Sequence, residues 1–398
     1  MMSNKKQRIV ILNGTVFTPF QSFEGHIMIE KGKIISVTPI KDSTRDSSTF
    51  GQAEIIEARN KYIVPGFIDL HVHGGGGADV MDGEYEAIKK IAANHCRYGT
   101  TAFLPTTLTM SKDNIIKSLQ SIGEAKLKGT GTAEILGVHL EGPYINPEKK
   151  GAQNKKDIIQ LSKEEFLAFN QASGNLIRLV TLAPEMPGAL DFIPWLCEQG
   201  IIASAGHTNA TYEEMQDALQ SGLNHVTHLF NAMRGLHHRE PGIVGAALSD
   251  SRITAEVIAD GIHIHPVILK IIHQMKGSNK IVLITDAMKA SGLPEGTYDL
   301  GGQEVIVAKE QARLQDGTLA GSVLTMNKAV QNIVAKAGIP LGEAVQMASY
   351  NPAKCLGINN KKGSLETGKD ADIVMLNKNF EVDLTMVSGK VIFRREEL

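Results

Sequence analysis

Residues 66–77 read GFIDLHVHGGGG, an apolar run that ends in two histidines one residue apart and four glycines. The run is typical of a buried strand, and alternate residues of a strand point to the same side. One interpretation is therefore that His71 and His73 share a metal ion. A phosphate-binding glycine loop is the second, and it fails because the following ADVMDGEY has no Lys-Ser pair and no GxGxxG spacing. The third is a buried turn, in which the glycines let the backbone bend tightly.

Similar apolar runs alternate with segments that favour helix along the middle of the chain. The runs span residues 66–74, 101–107, 135–143, 177–185, 201–208, 225–233, 253–261 and 281–288. Between several of them lie helix starts: Ser162 with Glu165, and Thr211 with Glu214, match the capping box. Eight parallel strands with intervening helices predict an α/β fold, namely a (β/α)8 TIM-like barrel.

The two ends of the chain have a different pattern. Residues 8–62 contain short alternating runs broken by Asn-Gly and Lys-Gly turns, and the C-terminal segment has the same character. We expect residues 1–62 and 360–398 to form one small β-sandwich domain and residues 63–359 to form the barrel. After Met288 the pattern predicts an excursion of hairpins, and helices return at MNKAVQNIVAKAG and GEAVQMASYNPAKCLG.

Composition excludes several classes of function. The 398 residues carry a net charge of −2, so nothing favours nucleic acid or an anionic membrane as a partner. No apolar run reaches the ~18 residues of a membrane span, and the N-terminal apolar stretch is too short for a signal peptide. Three widely separated cysteines suit a reducing cytoplasm and argue against a disulfide framework. We therefore expect a cytoplasmic protein.

Polar residues lie at the carboxyl ends of the predicted strands, where barrel enzymes place their catalytic groups. Six of the eight runs show this, with His71, His73, His139, Glu141, His207, His228, His263 and Asp286. Imidazole and carboxylate ligands suit zinc, iron and similar divalent ions, and a catalytic metal needs three protein ligands and an open position for water. A separate carboxylate must take the proton of that water, and Asp286 is placed for this role.

The longer motifs carry a family resemblance. PGFIDLHVHG, GVHLEGPYINPEKKGAQ, SAGHTNA, THLFNAMRGLHHREPG, IADGIHIHP, LITDAM and DGTLAGS cover the predicted barrel nearly end to end. In these motifs the chain resembles the amidohydrolase superfamily and, within it, the N-acetylglucosamine-6-phosphate deacetylases. The resemblance implies a metal-dependent hydrolase of amino-sugar catabolism, expected to be a homodimer. It would remove the acetyl group of N-acetyl-D-glucosamine 6-phosphate and release D-glucosamine 6-phosphate and acetate.

The resemblance also implies roles for the residues that match the family motifs. Glu141, His207 and His228 correspond to the ligands of the main metal. Asp286 corresponds to the general acid and base, and His263 to a histidine that polarises the substrate carbonyl. The matching substrate residues, His263 again among them, are Ala152, Asn231, Ala232, Arg239, Leu319, Ala320 and Gly321.

A phosphate group on the substrate requires a cationic anchor. Arg239 is suited to this role because guanidinium matches phosphate oxygens in a two-pronged way. In the family, part of the phosphate site can come across a dimer interface. His237, His238 and Arg239 would then serve the neighbouring subunit.

The number and identity of the metal ions stay open. Many superfamily members bridge two metals with a carboxylated lysine on the fourth strand, but the fourth run, IRLVTLAPE, has no inward lysine at its end. Glu141 would take the bridging role. With His71 and His73 both present, the chain would bind one ion or two. Zinc or iron is expected, and the ligand set also admits manganese or cobalt.

Two other functions are retained as alternatives. One is a deacetylase of N-acetylgalactosamine 6-phosphate, a sugar that differs in the configuration of one hydroxyl. The other is a catalytically silent barrel that binds a sugar phosphate. We expect His139 to pack or to support a ligand, and His225, which begins the sixth run, to be structural.

Overall fold

The computed structural model of the chain describes residues 8–19, 21–40 and 53–396. Residues 1–7, 20, 41–52 and 397–398, which fall in the predicted terminal domain, lie outside the described residues. The strands are β1 (Arg8–Phe17), β2 (Ser22–Glu30), β3 (Lys33–Pro39), β4 (Glu54–Glu57), β5 (Tyr62–Pro65), β6 (Phe67–Val72), β7 (Gly74–Gly75), β8 (Ala78–Asp79), β9 (Thr100–Thr107), β10 (Glu134–Ile135), β11 (Val138–Glu141), β12 (Ile177–Leu182), β13 (Ile202–Ala205), β14 (His225–Val226), β15 (Thr254–Ile258), β16 (Ile281–Ile284), β17 (Gly296–Leu300), β18 (Gln303–Ala308), β19 (Gln311–Leu314), β20 (Ile373–Leu376), β21 (Val382–Val387) and β22 (Lys390–Arg394). The α-helices are α1 (Tyr85–Cys96), α2 (Lys112–Lys128), α3 (Lys163–Ala172), α4 (Ala189–Glu198), α5 (Tyr212–Gln220), α6 (Gly242–Ser249), α7 (Pro266–Lys276), α8 (Met326–Ala335), α9 (Leu341–Ala348) and α10 (Tyr350–Cys355).

The predicted barrel is confirmed. Each of the eight expected apolar runs contributes one strand, and these strands pair in parallel in the order β6, β9, β11, β12, β13, β14, β15 and β16. The short β10 adds to β9 outside this ring. The barrel strands are buried along almost their whole length, because helices cover the outside and side chains fill the inside. Their carboxyl ends therefore meet at one mouth.

The first and last barrel strands are joined through Asp69, which is fully buried. Its carboxylate accepts a hydrogen bond from the Thr285 hydroxyl at 2.6 Å and others from the amides of His71 and Thr285 at 3.2 and 3.3 Å. Beyond it, the Asp286 amide donates to the His71 carbonyl at 3.0 Å. These contacts fix the end of β6 against the end of β16, so they bring two of the polar strand ends side by side.

The strands from both ends of the chain form one sheet, as the sequence predicts. Its order is β22, β21, β20, β5, β1, β2 and β3, with β4 paired to β1. It has a hydrophobic core of its own, which includes Ile11, Ile27, Ile63 and Met386. The pairing places Tyr62–Pro65 in this sheet and Phe67–Val72 in the barrel. The pairing puts the change from sheet to barrel between Pro65 and Phe67. The division into residues 1–62 with 360–398 and residues 63–359 stays a prediction.

The excursion after Met288 is a three-stranded antiparallel sheet of β17, β18 and β19. It packs on the barrel mouth through a small apolar cluster that includes Leu108, Met288 and Leu300. The two predicted helix starts differ in detail. Thr211 and Glu214 form the full capping box, whereas Ser162 caps α3 without a return bond.

Candidate metal centre and active site

Three ligand atoms converge at the carboxyl ends of β11, β13 and β14. The Glu141 Oε1 atom lies 3.2 Å from Nε2 of His207 and 3.1 Å from Nε2 of His228, and the two Nε2 atoms are 3.2 Å apart. Zinc-type ions bind such ligands at ~2.0–2.1 Å, so adjacent ligand atoms of a tetrahedron are about 3.3 Å apart. The spacing of the three atoms fits one face of such a tetrahedron, and this leaves a fourth position for water.

A second group lies beside the first and consists of His71, His73 and Asp286. The Nε2 atoms of the two histidines are 3.0 Å apart, and Asp286 Oδ1 is 3.4 Å from the first and 3.3 Å from the second. Glu141 lies between the groups, because its Oε2 atom is 3.2 Å from His73 Nε2. The geometry thus fits two neighbouring ions that share Glu141 as well as it fits a single ion.

Two of the four candidate ligand histidines, His207 and His73, make hydrogen bonds through Nδ1 and so turn Nε2 toward the candidate ions. His207 Nδ1 lies 3.0 Å from the Lys149 carbonyl and His73 Nδ1 lies 3.2 Å from the Thr106 carbonyl. A carbonyl only accepts, so each Nδ1 carries the proton and each Nε2 is a free donor to a metal. A hydrogen bond of this kind, made by the ring nitrogen opposite the metal, is what holds a metal-binding histidine in position.

The backbone at three of these residues is in the left-handed region, where side chains other than glycine are uncommon. The φ angles are 47° at His207, 30° at His228 and 50° at Asp286. Each residue lies just beyond the end of its strand, where the chain must turn out of the barrel. Such conformations cost about 1–3 kcal/mol each and cluster at functional sites.

The polar groups of the site are buried and strongly coupled. Burial raises the pKa of Glu141 and Asp286, but the nearby charge of His71 and the other histidines outweighs it and holds both carboxyl pKa values below their ordinary range. Burial lowers the pKa of His73, whereas its contacts with Asp286 and Glu141 raise it to about 9, so the metal-free ring must release its Nε2 proton when an ion binds. Both carboxylates are therefore ionised at neutral pH, as metal ligation and proton acceptance require.

A cavity of about 350 Å³ opens above the two groups. Its lining includes both proposed catalytic residues and most of the proposed substrate residues, namely Ala152, Asn231, Ala232, His263, Asp286, Leu319 and Gly321. Ala320 is fully buried behind the same segment. Arg239 is exposed on a separate loop and lies beside His238, with 2.8 Å between Arg239 Nη1 and His238 Nε2. The cavity of this chain therefore does not include Arg239.

Three residues of the site, Gln153, Asp260 and Arg313, were not predicted from the sequence. Gln153 donates to Glu141 Oε2 at 2.6 Å, and Asp260 Oδ2 lies 2.6 Å from His263 Nδ1. Arg313 is the one guanidinium that lines the cavity among the described residues. Only Asp260 left a local signal, because it precedes His263 by three residues in IADGIHIHP. Gln153 reaches the site from the loop that follows β11, and Arg313 reaches it from strand β19.

His139 is held away from metal ligation, as expected. Its Nδ1 lies 3.1 Å from the Leu70 carbonyl and its Nε2 lies 2.7 Å from the Thr181 hydroxyl, so both ring nitrogens are engaged. His225 is buried at the opposite end of β14 and pairs with Glu256 at 3.0 Å. Neither residue lines the cavity.

Comparison with known sequences places this site in a family context. The model of the amidohydrolase family matches residues 62–392. The N-acetylglucosamine-6-phosphate deacetylase of Bacillus subtilis (strain 168) is 41% identical over 376 residues, which cover 94% of this chain and 94% of that protein. The N-acetylgalactosamine-6-phosphate deacetylase of Escherichia coli O157:H7 is 38% identical over 365 residues, which cover 92% and 94%.

Solved structures agree with the sequence relatives. A mutant N-acetyl-D-glucosamine-6-phosphate deacetylase from Mycobacterium smegmatis, solved in complex with N-acetyl-D-glucosamine-6-phosphate, matches with a TM-score of 0.90 at 32% identity and covers 97% of this chain and 99% of that one. The Thermotoga maritima enzyme of the same name matches with a TM-score of 0.87 at 34% identity, covering 97% and 100%. The chain therefore belongs to the amidohydrolase family and, within it, to the N-acetylglucosamine-6-phosphate deacetylases.

Proposed function

We propose that the protein hydrolyses the N-acetyl group of N-acetyl-D-glucosamine 6-phosphate to D-glucosamine 6-phosphate and acetate. The observation that carries the proposal is the convergence of Glu141, His207, His228 and Asp286 beneath one cavity, at the spacing of a metal site. A divalent ion bound there would polarise a water molecule and make it a nucleophile at neutral pH. Zinc or iron is the proposed ion, with manganese or cobalt as alternatives, at one or two ions per subunit.

Asp286 is the proposed general base and acid. Its carboxylate is ionised, lies at the cavity and lies 3.3 Å from His73 Nε2. It would accept the proton of the attacking water as the hydroxide oxygen bonds to the acetamide carbonyl carbon. It would then deliver that proton to the amine nitrogen as the carbon–nitrogen bond breaks, so that one carboxylate serves both halves of the reaction.

His263 is the proposed stabiliser of the carbonyl oxygen. The Asp260 carboxylate accepts a hydrogen bond from Nδ1 of His263. This bond fixes the ring and leaves Nε2 as the nitrogen available to a ligand. With a proton also on Nε2, the ring would donate a hydrogen bond to the oxygen as negative charge develops, and Asp260 would offset the added charge. One donor of this kind contributes roughly 10²–10³ in rate.

An acetate-release assay on two sugar phosphates tests the function. The metal-replete protein is expected to release acetate from N-acetyl-D-glucosamine 6-phosphate with a higher kcat/KM than from N-acetyl-D-galactosamine 6-phosphate. The second sugar is a specific competitor, because one relative at 38% identity is named for it. A reversed preference would reassign the substrate, and no acetate from either would favour the silent barrel.

The phosphate site is proposed to be completed by a second subunit. The cavity is lined by Arg313 from its own chain, whereas Arg239 is exposed on the 234–241 loop. A homodimer that places this loop over the neighbouring cavity would bring a second guanidinium to the phosphate.

The cytoplasmic location stays a proposal that rests on three free cysteines. Within the described residues, no helix combines the length and apolarity needed to cross a bilayer.

A further inference from the structure

Glu256 is a fully buried carboxylate inside the barrel, on strand β15, and it does not line the cavity. Its two oxygen atoms face two different histidines. Oε1 lies 3.0 Å from Nε2 of His225, and Oε2 lies 3.5 Å from Nδ1 of His71. Burying a carboxylate costs free energy unless partners compensate its charge, so the contacts of its two oxygen atoms indicate what it does in the fold.

The contact with His71 is the one that points to the metal centre. Both Nδ1 of His71 and Oε2 of Glu256 are buried, and among the described residues neither atom has a hydrogen bond within ordinary limits. They face each other across 3.5 Å, which is slightly long for a hydrogen bond. A small rotation of the His71 ring toward a bound ion at Nε2 would align the opposite nitrogen with the carboxylate.

His71 differs in this respect from His73 and His207, while Nδ1 of the fourth ligand histidine, His228, is buried without a hydrogen-bond partner among the described residues. His73 and His207 donate from Nδ1 to backbone carbonyls, whereas His71 faces an anionic side chain. A carboxylate behind a ligand histidine fixes its tautomer, holds the ring in place and strengthens the opposite nitrogen as a donor to metal. His225 holds Glu256 in turn, so strands β14, β15 and β6 all contribute to the position of one ligand.

We infer that Glu256 is a positioning residue for His71 and thereby controls how tightly the second group, His71, His73 and Asp286, binds an ion. The inference rests on the proposed metal-dependent function. It assigns to Glu256 no contact with substrate. Its effect is expected at the second ion and not at the ion held by Glu141, His207 and His228.

Metal titration of the Glu256→Gln variant tests the inference. Metal-free protein is titrated with Co²⁺, and the bound ions are followed by elemental analysis after gel filtration and by the visible absorption of the ion. The wild type is expected to bind two ions. The variant is expected to keep the first and to bind the second about 10–100-fold more weakly, with altered absorption of that ion.

Two further variants separate this effect from damage to the fold. Asp372→Asn removes a different buried carboxylate, which lies just before β20 and 2.7 Å from Lys362, and is expected to leave both ion affinities unchanged. His225→Asn leaves the Glu256 carboxylate in place but removes its support, and is expected to weaken the second ion less than Glu256→Gln does. In a His71→Gln background, Glu256→Gln should have no additional effect.

The outcomes are distinguishable from a failure of the proposed function. If wild-type protein binds two ions and Glu256→Gln binds the second equally well, the inference is overturned. A wild type that binds a single ion also overturns it, while the proposed deacetylase can still act with that ion. A wild type that binds no ion would overturn the proposed function itself.

Discussion

Glu141 is the residue on which both candidate metal groups depend. One of its oxygens lies 3.1–3.2 Å from the two histidines of the first group, and the other lies 3.2 Å from His73 of the second. Gln153 fixes the carboxylate by donating to it at 2.6 Å. Glu141 on β11 is therefore placed so that it could bridge two ions, and the bridging role that the family resemblance implies for it stays a prediction.

At the same scale, Asp286→Asn is expected to separate proton transfer from metal binding. The amide keeps the size of the side chain but cannot accept the proton of the attacking water. We expect kcat to fall by about 10²–10⁴, the usual contribution of a positioned general base. The ion at Glu141, His207 and His228 should be retained, and elemental analysis of the purified variant checks this. Activity near the wild-type level would show that another group carries the proton.

Among the elements, the barrel strands were predictable because a buried parallel strand is a continuous apolar run. The same rule could not predict where a strand stops. The run at residues 225–233 forms only the two-residue strand β14, because the chain leaves the sheet before His228 and adopts left-handed backbone there. Arg313 could not be predicted either, since it reaches the cavity from a separate antiparallel sheet whose docking is decided by tertiary packing.

The glycines that follow β6 illustrate what the sequence suggested correctly. Gly74–Gly75 and Ala78–Asp79 form a tight two-stranded turn at the barrel mouth. A Cβ atom on Gly74 would lie 2.6 Å from the Ala78 carbonyl oxygen and 2.7 Å from the Lys289 amide nitrogen, both of which are backbone atoms. The tight turn of the third interpretation is therefore present beside the candidate metal group, and the metal-binding role of His71 and His73 in the first interpretation stays a prediction.

Helix α1 supports this turn through His95, and the burial of His95 makes the stability of the folded protein dependent on pH. His95 is fully buried, and its Nε2 donates to the Gly74 carbonyl at 2.8 Å. Burial lowers the pKa of His95 from 6.5 to about 4, with a smaller opposing effect of that hydrogen bond. The folded state keeps the ring neutral while the unfolded chain takes up a proton below pH 6.5. Stability is therefore lost as the pH falls from 6.5 toward 4.

The expected size of this loss is about 3 kcal/mol in the free energy of unfolding. Denaturant unfolding of metal-free protein at a series of pH values from 7 to 4 measures it, and metal release then makes no contribution. His95→Gln and His95→Phe should both show a fall that is smaller by about this amount. At pH 7, His95→Gln should be the more stable of the two, because glutamine can still donate to Gly74. Equal pH dependence in all three proteins would contradict the assignment.

At the scale of the whole molecule, the described chain leaves the substrate site short of cations. A phosphate monoester is anionic at neutral pH, yet Arg313 is the one guanidinium that lines the cavity among the described residues. The 234–241 loop carries Arg239 on the surface beside the exposed apolar side chain of Leu236. An exposed leucine and an exposed arginine on one loop are what a loop that enters a neighbouring subunit would present.

Complementation between two inactive variants tests whether Arg239 acts across such an interface. Asp286→Asn chains lack the base but keep Arg239, and Arg239→Gln chains lack the guanidinium but keep the base. In a mixed dimer the site with an intact Asp286 would receive Arg239 from the other chain, so one site in two would be complete. When the two variants are mixed and refolded together, or co-expressed, the product should therefore regain substantial activity at substrate concentrations where each variant alone is nearly inactive. If Arg239 acts within its own chain, every site in the mixture lacks one group and no activity returns.

The Arg313→Gln variant is the matched control. Because Arg313 lines the cavity of its own chain, a mixture of Arg313→Gln and Asp286→Asn chains should contain no complete site and should regain no activity. Sedimentation velocity on the mixture establishes that dimers are present. Recovery of activity by the Arg313→Gln mixture, with none by the Arg239→Gln mixture, would reverse the two assignments.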